Sequence, residues 1–503
     1  MTTHARSDSC HPSEDGSPSN SFDVLIIGAG ISGINSAYRV QTNLPSASYA
    51  ILEGRAHLGG TWDLFKYPGI RSDSDLYTFG FPFNPWYKSN PIATGDSIVE
   101  YMTATAKTFG IDKHFHFSHK VQSADWSSDA QHWVLQVENE GQTKIFYARY
   151  VILGTGYYNY DKPLEADIPG LSNFQGKTIH PQFWPTDYDY TDKKIIVIGS
   201  GATAITLVPA LAEKAGKVTM LQRSPSYILS LPQRKPEDPP SWSEWLVPRS
   251  ILLQFRRWLY LVQPYLFYLY CRRFPSSANK MVISSVKQHL PADVPVDPHF
   301  TPRYNVWDQR LCLCPNADFF EALGRGNADV VTSTIETVTE DGIVLASGEK
   351  LNADIIVTAT GLNMQFGGQI NLTVDKKPIH IPDQFLWRNT LISSVPNMFI
   401  VLGYTNMPWT LGADSCARLV TRLIKHMQDQ GYTSATAEIG EDEKKKVSQV
   451  LGLTSTYIQK GLEKMPKTAT VGPWKPRDNY FRDNWEANWG KLEEGLRFEK
   501  VST

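Results

Sequence analysis

FDVLIIGAGISGINSAYRV, residues 22–40, sets an apolar strand, Val24 to Ile27, directly before the turn Gly28-Ala29-Gly30-Ile31-Ser32-Gly33, and a helical pattern follows. In a strand–turn–helix unit of this kind the first glycine makes the tight turn. The second lets a pyrophosphate approach the backbone, and the third allows close packing of helix on strand. The phosphates then meet the unpaired N–H groups at the helix N-terminus. A second strand pattern, SYAILEGR, ends at Glu53, where a carboxylate accepts the ribose hydroxyls of an adenosine.

The pattern recurs at KKIIVIGSGATAITLVPAL. The strand Ile195 to Ile198 runs into Gly199-Ser200-Gly201-Ala202-Thr203-Ala204, with alanine in the third place. Its second strand, KVTMLQRSP, ends on Arg223 and carries no acid. An arginine there suits a 2′-phosphate; a solvated arginine at a strand end is the other reading. FAD at the first loop and NADPH at the second is the economical assignment. YVILGTGYYN (150–159) and ADIIVTATGLN (353–363) are apolar strands ending in small-residue turns, suited to crossings between two domains. The predicted class is α/β, with two Rossmann-like dinucleotide-binding domains, the NADP domain inserted into the FAD domain. Residues 1–21 read as a disordered tail and 22–157 as the first part of the FAD-binding domain. Residues 158–350 read as the NADPH-binding domain, with a helical insert at about 235–300, and 351–503 as the rest of the FAD domain and a C-terminal region. In that last part NMFIVLGYTNMPWTLGADSCARLVTRLI reads as strand, loop and helix. The helix N-terminus near Thr410 and Leu411 is placed to face a flavin ring edge with its positive dipole end.

Lys and Arg together number 49 against 51 Asp and Glu, so there is no basic surplus to favour nucleic acid. Five cysteines with no CxxC argue against a disulfide framework or a metal site and for a reducing, cytoplasmic setting. Cys312 and Cys314, on one face of a strand pattern, read as small apolar residues. The segment ILLQFRRWLYLVQPYLFYLYC (251–271) is dense in Leu and aromatics, is interrupted by Arg256 and Arg257, and carries Pro264, expected to kink any helix there. It falls short of a membrane span. Two readings stay open: a helical insert packed on its own domain, and peripheral contact with a membrane.

Two further segments carry large side chains at set intervals. GGTWDLFKYPGIRSD supplies Gly60, Trp62, Tyr67, Pro68, Gly69 and Asp73. FQGKTIHPQFWP supplies Phe174, Gly176, His180, Trp184 and Pro185 just before the second glycine loop. Together they resemble the two fingerprints of type I Baeyer–Villiger monooxygenases, and the resemblance runs over nearly the whole chain from residue 22. It implies FAD, NADPH and O2 acting through a C4a-peroxyflavin to turn ketones into esters or lactones, with thioethers as further substrates. It assigns Gly60, Trp62 and Asp73 to the flavin side and makes His180 a coupler of nicotinamide binding to domain arrangement. Arg310, in YNVWDQRLCLCPN, matches the family's catalytic arginine, and Asp73 matches its carboxylate partner. Trp62, Tyr67 and Trp409 lie in the regions that would exclude water. Residue type alone also permits a structural ion pair for Arg310 and a packed linker around His180. Gln309 stands where the family often has a lysine that helps hold the NADPH phosphate, which leaves Arg223 as the main candidate. An N- or S-oxygenating flavin monooxygenase is the alternative, and a flavoprotein that senses or scaffolds without turnover is a third reading.

Overall fold

The structure, a computed structural model, describes residues 20–234, 246–452 and 454–500. The expected tail, Cys10 included, lies outside the described residues except for its last two positions, and of these Ser21 opens the first strand.

Strand Ser21–Ile27 lies between Tyr49–Leu52 and Gln142–Leu153, parallel to both, with Ile26 level with Ile51 and Ile152. Both faces of this centre are covered, so Val24 to Ile27 are buried in sequence rather than alternately. The long strand Gln142–Leu153 also closes an antiparallel meander with His132–Asn139 and Lys120–Ser127. On its inner end it pairs in parallel with Met398–Ile400 after the chain has returned. Helix Ile31–Asn43 leaves the first glycine turn and packs on helix Trp409–Gln430.

A second sheet of five parallel strands runs in the order Ala328–Thr332, Lys217–Gln222, Lys194–Ile198, Ile355–Thr358, Lys177–Ile179. Helix Ala202–Leu211 rises from the second glycine turn onto it. The domain boundary expected at 351 is corrected here. Ile355–Thr358 belongs to the second sheet, filling the place between Lys194–Ile198 and Lys177–Ile179, and the return begins only after Thr358. An apolar run of four buried residues fits a central strand of either sheet, so only the hydrogen-bond register distinguishes them. The outgoing and returning connections lie side by side. Asn159 N–H donates to Asn363 O at 2.8 Å and Gln365 N–H to Tyr157 O at 3.1 Å.

The insert forms two helices, Arg249–Arg273 and Pro275–His289. Residues 235–245 of its expected span lie outside the described residues. The first helix is one element with Pro264 inside it. It also packs on more than its own domain. Arg257 donates to Tyr77 O at 2.7 Å and Gly80 O at 3.1 Å, and Tyr260 meets the Tyr77 ring at 4.9 Å. Leu261 is buried with Tyr404 and Leu411 of the first domain. Its C-terminal end does stay home, with Cys271 in a cluster with Tyr227, Val306 and Leu311. Among the described residues no helix is long and apolar enough to cross a membrane.

Candidate active site

The first glycine turn is pressed from below by the end of the crossing strand. Gly28 has φ +104°, and a Cβ there would lie 2.8 Å from Gly154 O, so a side chain meets both a left-handed backbone and a carbonyl. Gly30 and Gly60 approach each other closely: a Cβ on Gly60 would sit 3.2 Å from the Gly30 Cα and 3.3 Å from the Tyr160 hydroxyl. Glu53 is buried beside the first turn. Its Oε2 accepts from Ala29 N–H at 2.7 Å and its Oε1 from Arg55 N–H at 2.9 Å, leaving further lone pairs on each oxygen. Burial pushes its carboxyl above the ordinary range, and the two N–H donors pull it back down.

The second turn repeats this arrangement. Gly199 has φ +137°, with a would-be Cβ 2.3 Å from Ala359 O, and beside Gly201 no atom lies within 4 Å of a Cβ. Thr203 shares a hydrogen bond with Tyr67, whose hydroxyl burial pushes up to about 12. Gly69, two residues on, abuts the same helix; its Cβ would be 3.0 Å from Thr206 O. The first fingerprint is therefore a wedge between the two folds, fastened further by the ion pair of Arg71 with Asp318. Arg223 is exposed at its strand end, next to Gln222, whose amide is fixed by His299 O and Thr332 Oγ1.

Arg310 bridges the two folds. It comes from the second fold and reaches Asp73 of the first at 3.2 Å, with its other nitrogen 3.3 Å from the Tyr157 hydroxyl. Tyr157 bonds Tyr158 at 2.6 Å and stacks on Trp409 at 4.9 Å, and Trp409 Nε1 donates to Ser32 Oγ inside the first glycine turn at 2.9 Å. Tyr157 chiefly, and after it Asp73, pushes the guanidinium further above its already high range, against the opposing effect of burial. Its Nε is buried with no hydrogen-bond partner among the described residues. Arg310, Asp73 and the first turn thus form one connected group. Trp62 borders it, edge-on to Phe79 at 5.7 Å.

The remaining sequence candidates sit at its margins. The Thr410 hydroxyl donates to Phe79 O, so it anchors the first turn of helix Trp409–Gln430. Leu411 points into the apolar cluster with Leu261, leaving only its backbone at the helix start. His180 Nδ1 accepts from Gln182 N–H at 3.2 Å, and burial holds its pKa below the usual range, with Gly361 of the returning turn acting the other way. Cys312 and Cys314 are buried and free, and burial pushes the Cys312 thiol up to about 12. Tyr157, Tyr158 and Tyr457, which surround Arg310, are absent from the sequence candidates. The first two follow directly on the Gly154-Thr155-Gly156 turn, a usable signal, whereas Tyr457 belongs to no motif.

Residues 22–238 match the model of the flavin-binding monooxygenase-like family. The FAD-containing monooxygenase EthA of Mycobacterium tuberculosis is 45% identical over 482 residues, covering 95% of this chain and 98% of EthA. The chain belongs to the flavin-binding monooxygenase-like family. As a flavin monooxygenase it shares its fold with a steroid monooxygenase bound to NADP (TM-score 0.73, 20% identity, 96% of this chain and 100% of that one). It also superposes on the cyclohexanone monooxygenase of Rhodococcus sp. Phi1 bound to NADP+ (TM-score 0.71, 20% identity, 96% and 100%). The bare glycine backbone at Gly30 and Gly60, the open backbone at Gly201 and the spare acceptors of Glu53 fit one dinucleotide at each turn of this flavin monooxygenase.

One acid beside the site has a measurable pH signature. Asp75 is buried, caps helix Leu76–Phe79 through Thr78 N–H at 2.8 Å, and burial pushes its carboxyl from 3.8 to about 6. The native state then binds the proton more tightly than the unfolded chain does. Stability from this group is present below pH 3.8 and lost as the pH rises through about 6. An Asp75→Asn flavin monooxygenase keeps a cap acceptor without the buried charge. It is expected to gain about 2–3 kcal/mol on wild type at pH 8 relative to pH 4. Melting both proteins at pH 4 and pH 8 checks this, and a Tm difference that does not change with pH refutes it.

Proposed function

We propose that this flavin monooxygenase carries FAD on the first fold and NADPH on the second and oxygenates ketones to esters or lactones, with thioethers as secondary substrates. When bound, these two cofactors supply the electrons that activate O2. The turn Gly28–Gly33 with the backbone at Gly60 would hold the flavin pyrophosphate, Glu53 the ribose, and Trp62 and the start of helix Trp409–Gln430 the neighbourhood of the ring. Gly199, Gly201 and Thr203 would hold the NADPH pyrophosphate. Arg223, exposed at its strand end, would take the 2′-phosphate, for which a guanidinium offers a paired, permanently charged donor set. His180 sits under the returning turn at Gly361 and would transmit nicotinamide binding to the domain arrangement.

The observation that supports the ketone reading is the Arg310–Asp73 pair at the seam, with Tyr157 and Trp409 packed beside it. Attack on a ketone carbonyl needs an oxygen nucleophile that keeps its negative charge. A fixed cation held by a carboxylate stabilises that charge without donating a proton, because a guanidinium keeps its own. An electrophilic oxygenation of sulfur or nitrogen needs a protonated oxygen and no such cation. The test is to supply the purified enzyme, NADPH and O2 with a cyclic ketone and an alkyl aryl sulfide in parallel and analyse products by gas chromatography. Lactone from the ketone supports the reading. Sulfoxide alone, with the ketone returned intact, overturns it in favour of an S-oxygenating enzyme.

A further inference from the structure

The helix Arg249–Arg273 turns a continuous apolar row to solvent. Ile251, Phe255, Trp258, Leu259, Val262, Leu266 and Leu269 follow one another mostly at three- and four-residue steps, which places them on one face, and Phe255 and Trp258 are 63% and 60% exposed. The helix is held from behind: Leu261 is buried with Tyr404 and Leu411, Cys271 with Ala278 and Val282, and Arg257 bonds the carbonyls of Tyr77 and Gly80. The apolar face is thus a rigid, outward surface rather than an unpacked core face.

The charge of the helix pair itself is one-sided. From Arg249 to Leu290 the chain has no Asp or Glu, although the whole chain is slightly acidic at −2. Arg249, Arg272, Arg273, Lys280 and Lys287 are exposed along this pair of helices, and of these Arg272 is paired, with Asp308 at 3.0 Å. A second copy docked face to face would bring Arg249, Arg273 and Lys280 of both chains together, because a two-fold contact repeats each patch against itself. A helix pair that exposes apolar side chains and cations and carries no carboxylate complements a bilayer with anionic headgroups.

We propose that this face docks on anionic membrane surfaces, with the helix lying in the interface plane and Phe255, Trp258 and Leu266 among the side chains that enter it. The helix does not span: Arg256 and Arg257 interrupt its apolar run, and it is not apolar enough to cross. The same helix touches the site's support from its other side, since the segment that takes up Arg257 continues into Phe79, whose carbonyl anchors Thr410. The docked bilayer therefore lies against the element that carries the candidate site, whichever substrate is oxygenated there.

The experiment is co-sedimentation of the purified full-length holoenzyme with vesicles of phosphatidylcholine, with and without 30% phosphatidylglycerol. We expect binding to the anionic vesicles and a loss of about tenfold or more in their absence or in high salt, each basic residue at such a surface contributing about fivefold. The triple variant Phe255→Ser, Trp258→Ser, Leu266→Ser is expected to lose binding by at least tenfold with flavin content and NADPH oxidation unchanged. Equal binding of the variant, or no binding of wild type to anionic vesicles at low salt, overturns the proposal. So does sedimentation velocity in free solution showing a wild-type dimer that the variant dissolves, since the face would then be covered by a second copy.

Discussion

An Arg310→Ala enzyme is expected to load flavin normally and to lose oxygenation by about 100- to 1000-fold, the range for removing one preorganised donor from a developing anion. NADPH should still be consumed, with hydrogen peroxide released in place of product, because both glycine turns are intact and only the charge at the seam is gone. Coupled product and peroxide assays read both halves of the expectation. The pair with Asp73 also bridges the two folds, so a purely structural role predicts equal losses from Arg310→Ala and Asp73→Ala. The proposed role predicts unequal ones. Without Asp73 the arginine keeps its charge and its contact with Tyr157, and the loss should be closer to tenfold. Equal effects, or an Arg310→Ala enzyme that remains fully coupled, would remove Arg310 from the chemistry.

The second large effect separates the cofactors. At Gly33 a Cβ would lie 1.8 Å from Gly28 O, a contact no local shift relieves without reshaping the first turn. At Gly199 the obstruction is the Ala359 carbonyl at 2.3 Å together with φ +137°. Gly33→Ala should therefore purify without flavin, if it folds. Gly199→Ala should keep its yellow colour and be reduced by dithionite but not by NADPH at concentrations that saturate wild type. Absorbance near 450 nm before and after each reductant gives the answer. Flavin lost from Gly199→Ala, or NADPH reduction unimpaired in it, would reverse the assignment of the two turns.

The two turns are legible in the sequence because their determinants are local: a strand, three small residues and a helix within twenty positions. Glu53 is legible for the same reason. What escapes is set by distance along the chain. Arg257 reads as an interruption of an apolar run, yet its guanidinium satisfies two carbonyls 180 and 177 residues away. Pro264 reads as a kink. The docking of Leu261 and Cys271 on either side of it holds the helix together despite a local cost of about 3 kcal/mol. Tyr157 and Tyr457 become neighbours of Arg310 only when both folds are assembled. The strand Ile355–Thr358 is apolar enough for either sheet, and its register alone assigns it.

The paired connections at Asn159–Asn363 and Tyr157–Gln365 set the mechanics of the inserted fold. A domain tethered by one strand can swivel in any direction. One tethered by two bonded strands bends across the ribbon with little loss but cannot slide along it without breaking both hydrogen bonds. At the crossing itself the second fold is thus free to bend in essentially one direction, and the contacts that Arg71, Arg257 and Leu261 make between the folds hold it against that bend. Because its entrance and exit touch, the guest is also separable. Removing it and closing the few ångströms between residues 159 and 363 with a short turn leaves the host sheet its own strand order.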